Sequence, residues 1–436
     1  MADSGLLAAQ SLAGLIVLPA LAWMVSENRR ALAPLAFARL VVVAIALQLA
    51  IALLLLRVPA MQGFFAAASG AVAALQSATE QGARMVFGYL AGGPAPFAPV
   101  KPQFSFILAF RALPLILVMS VLSRLFYHWG VLQLIVRMFA RVLERTLGVS
   151  GPLGTATAAN IFLGMVEAPL LVRPYVATMS RSALFATMTV GMATVAGTVL
   201  ALYASILEPV IPGAAGHILA ASVMSAPAAL LIARLMVPET TVAGAREFAQ
   251  DQPTGLGGDD PSMRSAGPMD AIANGTLDGL KLLAYVAAML VVMVALVALA
   301  NSVLALVSNP FGFELSMQSV LGAICAPLVW LTGIPWHEAA TAGSLVGTKI
   351  VLNEFLAYLD LARLGVAELS DRSRLILTYS LCGFANLGSL GILVGGLVAI
   401  APERRAEIAA LGMRSVVAGN LATLMTGAVV GLVVWT

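Results

Sequence analysis

Two carboxylates stand in sequence otherwise suited to lipid. Glu167 lies in Ile161-Phe-Leu-Gly-Met-Val-Glu-Ala-Pro-Leu-Leu-Val172, and Glu354 in Gly347-Thr-Lys-Ile-Val-Leu-Asn-Glu-Phe-Leu-Ala-Tyr358. An ionised side chain at the centre of a hydrocarbon layer costs roughly 3 kcal/mol on insertion scales, so each needs a hydrogen-bond donor, a cation or water, and such groups mark ligand and ion paths. Asn160, Gly164 and Glu167 are spaced i, i+4, i+7 and would share one face of a continuous helix. Gly164 would let a ligand or another backbone approach closely. Asn353 adjoins Glu354, and Lys349 precedes it by five residues. A purely structural role is the competing reading: Glu167 paired with Arg173, and Glu354 neutralised by Lys349.

Neutral polar groups form a second set. Asn386 and Ser389 are i, i+3 within Gly383-Phe-Ala-Asn-Leu-Gly388-Ser-Leu-Gly391, and Thr194 sits within Gly191-Met-Ala-Thr-Val-Ala-Gly197. Glycines at this density allow a helix to unwind and expose carbonyls, which are cation ligands. The alternatives are helix packing through small residues and a threonine bonding its own helix. The sequence contains no GxxxxGK[ST] phosphate loop, so an ATP-driven pump is not indicated. It has no HExxH, no GxSxG and no acidic metal cluster. Cys325 and Cys382 are far apart, and His128, His217 and His337 are scattered, so neither a disulfide framework nor a metal site is indicated. An enzyme would have to work with the buried carboxylates alone.

The elements that must position these groups follow from composition. Of 436 residues 60% are hydrophobic and 10% charged, against roughly 25% charged in a soluble domain. Net charge is +3, and no basic tract could neutralise a nucleic-acid backbone. A spanning helix needs about 20 apolar residues. Such runs occupy 6–25, 38–57, 104–124, 183–206, 217–237, 280–304, 376–400 and 411–434. The first reads as a span rather than a removable signal. Residues 60–92, Ala-rich with Gln76, Glu80 and Arg84, suit a helix at the membrane interface. Residues 150–178 and 318–361 are apolar but broken by Gly and Pro, each resembling two half-helices of a re-entrant hairpin. Such backbone survives at membrane depth only where protein or a wet cavity satisfies it. Arg29, Arg30, Arg124, Arg137, Arg141, Arg145, Arg404 and Arg405 fall on one side if the N-terminus is outside, which makes that side cytoplasmic. Arg363, Arg372 and Arg374 break this pattern.

The two halves echo each other: a broken stretch with a carboxylate, then a Gly-interrupted span. That repetition is the signature of an inverted-repeat secondary transporter. The expected fold is an all-α membrane protein of about eight transmembrane helices with two re-entrant hairpins and interface helices. Its expected divisions are 1–125, N-terminal spans and interfacial helix; 126–237, first hairpin and interrupted helix; 238–270, a mobile cytoplasmic linker; 271–310, a scaffold or oligomerisation span; and 311–436, second hairpin and interrupted helix. The setting is a multi-pass protein of the cell membrane, the inner membrane in a bacterium. A channel and a membrane-embedded enzyme are the competing classes.

The chain resembles the concentrative nucleoside transporters over nearly its whole length. The likeness runs through Ser26-Glu-Asn-Arg-Arg30, Gly148-Val-Ser-Gly151, Asn160-Ile-Phe, Glu167-Ala-Pro-Leu-Leu-Val-Arg-Pro174, Asp278-Gly and Ala287-Ala-Met-Leu290. It is densest in Gly347-Thr-Lys-Ile-Val-Leu-Asn-Glu-Phe355 and Tyr379-Ser-Leu-Cys-Gly-Phe-Ala-Asn-Leu-Gly-Ser389. The resemblance implies a homotrimer that imports nucleoside by symport with a cation and needs no other cofactor. It implies that Gly164 and Glu167 belong to the first hairpin's substrate face. Glu354 then accepts ribose hydroxyls, Asn386 and Ser389 are its partners on the unwound helix, and Phe384 packs beside the ligand. Asn160, the carbonyl of Leu163, Thr194 and the carbonyl of Val195 are the implied cation ligands. Oxygens without formal charge favour Na+; H+ is the alternative, with Glu167 or Glu354 as the titrating group.

The sequence departs from the family at the base end. The pattern Gly-Gln-Ser/Thr-Glu is replaced by Gly164-Met165-Val166-Glu167, and Pro152-Leu153-Gly154 stands where a small residue, Glu and Ser are common. The ribose end is intact. The base is then expected to be held by packing against Met165, Val166, Val199 and Phe384, which leaves open a non-classical nucleoside-like or ribosylated ligand.

Overall fold

The computed structural model describes residues 2–31, 34–97, 106–165, 167–239, 265–312, 315–365 and 367–434, and every regular element among them is helical. Residues 240–264 of the expected linker lie outside the described residues. The N-terminal helices are α1 (Ala2–Met24), α2 (Pro34–Arg57), α3 (Pro59–Phe87), the short α4 (Leu108–Arg111), α5 (Pro114–His128) and α6 (Val131–Leu147). Helix α3 fills the stretch expected at the interface, and α6 is strongly amphipathic. Next come α7 (Gly151–Asn160), α8 (Glu167–Leu171), α9 (Arg173–Val176), α10 (Arg181–Ala193), α11 (Gly197–Leu207) and α12 (Ala214–Met236). The C-terminal half comprises α13 (Pro268–Ser308, 41 residues), α14 (Met317–Trp330), α15 (Trp336–Val351), α16 (Glu354–Arg363), α17 (Asp371–Ser380), α18 (Leu387–Ile400) and α19 (Arg405–Val433).

Among the described residues seven helical stretches are long and apolar enough to cross a membrane. They match seven of the eight expected runs. The eighth, 376–400, is divided between α17 and α18 by a break at 381–386, so neither piece qualifies alone. The run 183–206 is likewise split into α10 and α11 by a break at 194–196. The broken stretch 318–361 holds three helices rather than two halves, and 150–178 holds α7, α8 and α9. The face expected to unite Asn160, Gly164 and Glu167 does not form. Helix α7 ends at Asn160, and Gly164 takes φ +146°, a conformation that L side chains rarely adopt. A Cβ there would also lie 2.7 Å from Glu167 Oε2.

The core is built from α10, α12, α17 and α19, whose residues are mostly buried. Both cysteines are buried free thiols. On one side of the bundle Glu27 accepts from Arg181 (2.8 Å) and Arg414 (2.5 Å), and Arg181 also meets Glu407, at 3.3 Å. This network ties the end of α1 to the starts of α10 and α19. The Glu27 amide donates to Met236 O at the end of α12 (2.9 Å). On the other side, Arg372 donates to the carbonyls of Gly431 and Val434, and Arg57 to that of Val433 (2.6 Å). Arg374 donates to Leu369 O at 3.1 Å and Leu364 O at 2.5 Å. Two of the three arginines that broke the orientation pattern are therefore fixed to backbone carbonyls, where they satisfy helix and loop ends. The third, Arg363, faces Asp360 at 3.7 Å.

Candidate functional site

The two interrupted helices cross at their breaks. Gly383 takes φ +157°, and a Cβ there would meet the carbonyls of Met192 and Ala193 at 2.9 Å. The Phe384 amide donates to Thr194 O (3.3 Å), and Asn420 Nδ2 donates to Ala385 O (2.8 Å). The Gly197 amide donates to Phe162 O (2.9 Å). Backbone groups released by the breaks are thus paired with one another, as burial demands.

Two asparagines cap the helices that start there. Asn353 Oδ1 accepts from the Leu356 amide (3.0 Å) at the start of α16. Asn386 Oδ1 accepts from the Ser389 amide (2.7 Å) at the start of α18. This use of the amide oxygen leaves Asn386 Nδ2 free to donate to Glu354 Oε2 (2.8 Å). Tyr203 Oη, from α11, donates to Glu354 Oε1 (2.6 Å). Glu354 is 4% exposed and sits in the first turn of α16, where the helix dipole favours negative charge. Lys349 does not neutralise it by contact: its ammonium donates to Ser380 O (3.0 Å) and Thr423 Oγ1 (2.8 Å).

Glu354 lines a cavity of about 140 Å³. Gly164, Met165, Glu167, Val199, Phe384, Asn386 and Ser389 line it too; Val166 lies outside the described residues. Every described residue expected to touch substrate therefore faces one space. Asn353, beside Glu354, lines it as well; residues not anticipated there include Thr198 and Tyr203 of α11 and a wall of α13 formed by Leu282, Tyr285, Val286, Met289 and Met293. The wall follows i, i+3, i+4, i+7 and i+11, one helical stripe.

The four residues expected to bind the cation form a separate, buried group behind the cavity. Asn160 and Thr194 are 0% and 1% exposed, and Leu163 and Val195 are buried too. Thr194 Oγ1 donates to Asn160 O (3.1 Å) and to Val190 O (2.9 Å), so it bonds its own helix and the first broken segment together. Asn160 Nδ2 donates to Ala156 O (3.0 Å). Its Oδ1 is buried without a hydrogen-bond partner, an uncommon condition for an amide oxygen.

Family models for the Na+ dependent nucleoside transporter N-terminus and C-terminus match residues 13–90 and 217–431, and one for nucleoside recognition matches 109–210. The chain is 39% identical over 428 residues to an uncharacterized transporter of Haemophilus influenzae, covering 97% of each. It is 35% identical to the nucleoside permease NupC of Helicobacter pylori, again over 97% of each chain. Among solved structures, CNTnw in an inward-facing substrate-bound state aligns with a TM-score of 0.86 at 38% identity, over 98% of this chain and 97% of that one. With its multiple apolar helices, this polytopic membrane protein belongs to the concentrative nucleoside transporter family.

Proposed function

We propose that the chain imports nucleosides by symport with Na+. The observation that carries this reading is the Glu354 carboxylate, buried in the cavity wall and held by two neutral donors, Tyr203 and Asn386. A carboxylate with spare lone pairs accepts from vicinal hydroxyls, which is what a ribose offers. Met165, Val199, Tyr285, Met289, Met293 and Phe384 line the same cavity and offer apolar surface for a flat ring. Glu167, at the cavity wall, is a further acceptor for polar groups of the ligand.

The cation is assigned to the buried group behind the cavity. The orphan Asn160 Oδ1 needs a partner, and a dehydrated Na+ held by that oxygen and the carbonyls of Leu163 and Val195 would supply one. The matching family models, those of Na+ dependent nucleoside transporters, support the same ion. The broken segments α7–α9 and α15–α16 are read as the two re-entrant hairpins, and the functional unit as a homotrimer in the lipid bilayer. Proteoliposomes with Na+ and pH gradients imposed separately test the coupling. Uphill uptake should follow the Na+ gradient and be abolished in Asn160→Ala. Uptake that ignores Na+ and follows the pH gradient would replace this ion by H+, with Glu167 as the accessible carboxylate.

A further inference from the structure

Helix α6 carries three stripes. Leu132, Val136, Ala140, Leu143 and Leu147 are buried against the protein. Leu134, Met138 and Val142, at i, i+4 and i+8, are 67%, 54% and 47% exposed. Arg137, Arg141 and Arg145 follow each of these by three residues, and all three are exposed. On a helix, positions three apart are neighbours. The outer surface of α6 therefore presents an apolar row beside a basic row, the pattern of a helix lying in the plane of the headgroups.

The C-terminal end of α6 closes a cavity of about 460 Å³ against α2 and α12. Arg39, Arg145 and Arg234 line it, with Leu40 and Val43 beside them and no carboxylate among the lining residues. Arg234 donates to Leu147 O (3.0 Å) and Gly148 O (3.3 Å), which fixes one wall. Arg39 and Arg145 are exposed. Among the described residues neither has a hydrogen-bond or ion-pair partner. Of the nearby carboxylates, Glu239 acts on Arg234 and accepts from Ser180 Oγ, and Glu144 packs on Gly154. A guanidinium stays charged at any physiological pH and matches phosphate geometry. With Glu239 acting on Arg234, Arg39 and Arg145 are the two guanidiniums that favour an anion in this concavity. The cavity shares its side of the bundle with the Glu27 network through the bond from Glu27 N to Met236 O. By arginine distribution that side faces the cytoplasm.

We propose that this cavity binds the phosphate of an anionic phospholipid, whose acyl chains run along Leu134, Met138 and Val142. The adjoining apolar row is what selects a lipid over free phosphate. The lipid secures the joint at Gly148 between α6 and α7, the helix that ends at Asn160. The full-length protein in detergent is tested with phosphatidylglycerol, phosphatidylcholine of the same chains, and inorganic phosphate. Retention is read by native mass spectrometry and thermal unfolding. Phosphatidylglycerol should be retained and raise the unfolding temperature. The pair Arg39→Gln with Arg145→Gln should weaken that association about 30-fold, each basic group near an anionic surface contributing about fivefold. Arg29→Gln with Arg30→Gln, on the same side, should leave it unchanged. Nucleoside binding at wild-type strength shows that the cavity variant is folded, and Arg39→Gln alone gives a milder second reading. Equal retention of phosphatidylglycerol by wild type and the double variant overturns the proposal. So does equal retention of phosphatidylcholine, or an inorganic phosphate effect matching that of phosphatidylglycerol.

Discussion

The Phe384 amide donates to the carbonyl of Thr194, so the break in one interrupted helix is hydrogen-bonded to the break in the other. Thr194 belongs to the buried group assigned to the cation and Phe384 to the cavity assigned to the nucleoside. One backbone contact therefore joins the two proposed sites. The contact depends on Gly383, whose φ of +157° and absent Cβ let the chain pass Met192 and Ala193. Gly383→Ala should separate the breaks. Strain of this kind costs about 1–3 kcal/mol, so uptake should fall at least about fivefold while the protein still inserts. Both the Na+ dependence and the nucleoside KM should move together. A change in only one of them would mean the breaks act independently.

Glu354→Gln puts an amide where two donors converge. The Tyr203 hydroxyl or the Asn386 amide must then face an N–H2 group. Hydrogen bonds to charged groups contribute about 1.5–3 kcal/mol, so nucleoside affinity should drop by about 10- to 100-fold. Tyr203→Phe removes one donor and should cost about tenfold. The two changes act on one cluster, so the double variant should be little worse than Glu354→Gln alone. Binding isotherms on purified, folded protein check this; additive losses would place Tyr203 outside the ribose contact.

The proposed base contacts are packing rather than polar partners. Met165 lines the cavity beside Val199 and the α13 wall, and a flexible thioether tolerates rings of varied shape. The wild type should accept purine and pyrimidine nucleosides with KM values within about tenfold of each other, since apolar pockets discriminate weakly. Met165→Gln with Val166→Thr should widen that spread and leave ribose dependence untouched. Competition uptake across a nucleoside panel distinguishes this from a pocket in which neither position meets the base.

The Glu27 network carries a pH signature. The hydrogen bond from Arg181 holds the Glu27 carboxyl below the usual carboxylate range, against a smaller opposing effect of burial. A carboxylate with a depressed folded-state pKa contributes stability above its unfolded value and loses it as pH falls through the folded value. Glu27→Gln should therefore lower the unfolding temperature near neutral pH, by a small amount because the group is partly exposed. The difference from wild type should vanish in acid, below the carboxylate range. A pH-independent difference in a thermal unfolding series would mean the side chain matters by shape alone.

Polar side chains in apolar runs were the readable part of the site. Glu167, Glu354, Asn386 and Ser389 are conspicuous because lipid-facing sequence excludes them. Tyr203 was not, since an aromatic ring in a span reads as core until the partner of its hydroxyl is known. Tyr285, Met289 and Met293 were missed for a related reason: their stripe is apolar, and only packing decides whether a stripe meets helix, lipid or ligand. Periodicity also treats backbone as continuous. It placed Asn160 and Glu167 on one face, whereas the positive φ of Gly164 turns the chain between them and sends them to two different sites. The arginines at 372 and 374 misread the orientation rule because their charge is committed to carbonyls.

Helix α13 has 41 residues, about 62 Å of length, twice the roughly 30 Å hydrocarbon layer. Its cavity-facing stripe, Leu282 to Met293, begins 14 residues after the helix starts and ends 15 residues before it stops. The stripe thus lies midway along the rod, with about 20 Å of helix beyond it in each direction. The rod is not uniform: Asp270, Asp278 and Lys281 stand before the stripe, and the residues from Leu282 to Ala300 are apolar. The cavity therefore opens where the apolar part begins, nearer the water at the Lys281 end than that at the Ser308 end, and a cargo taken from the far side would have the longer part of the rod to pass.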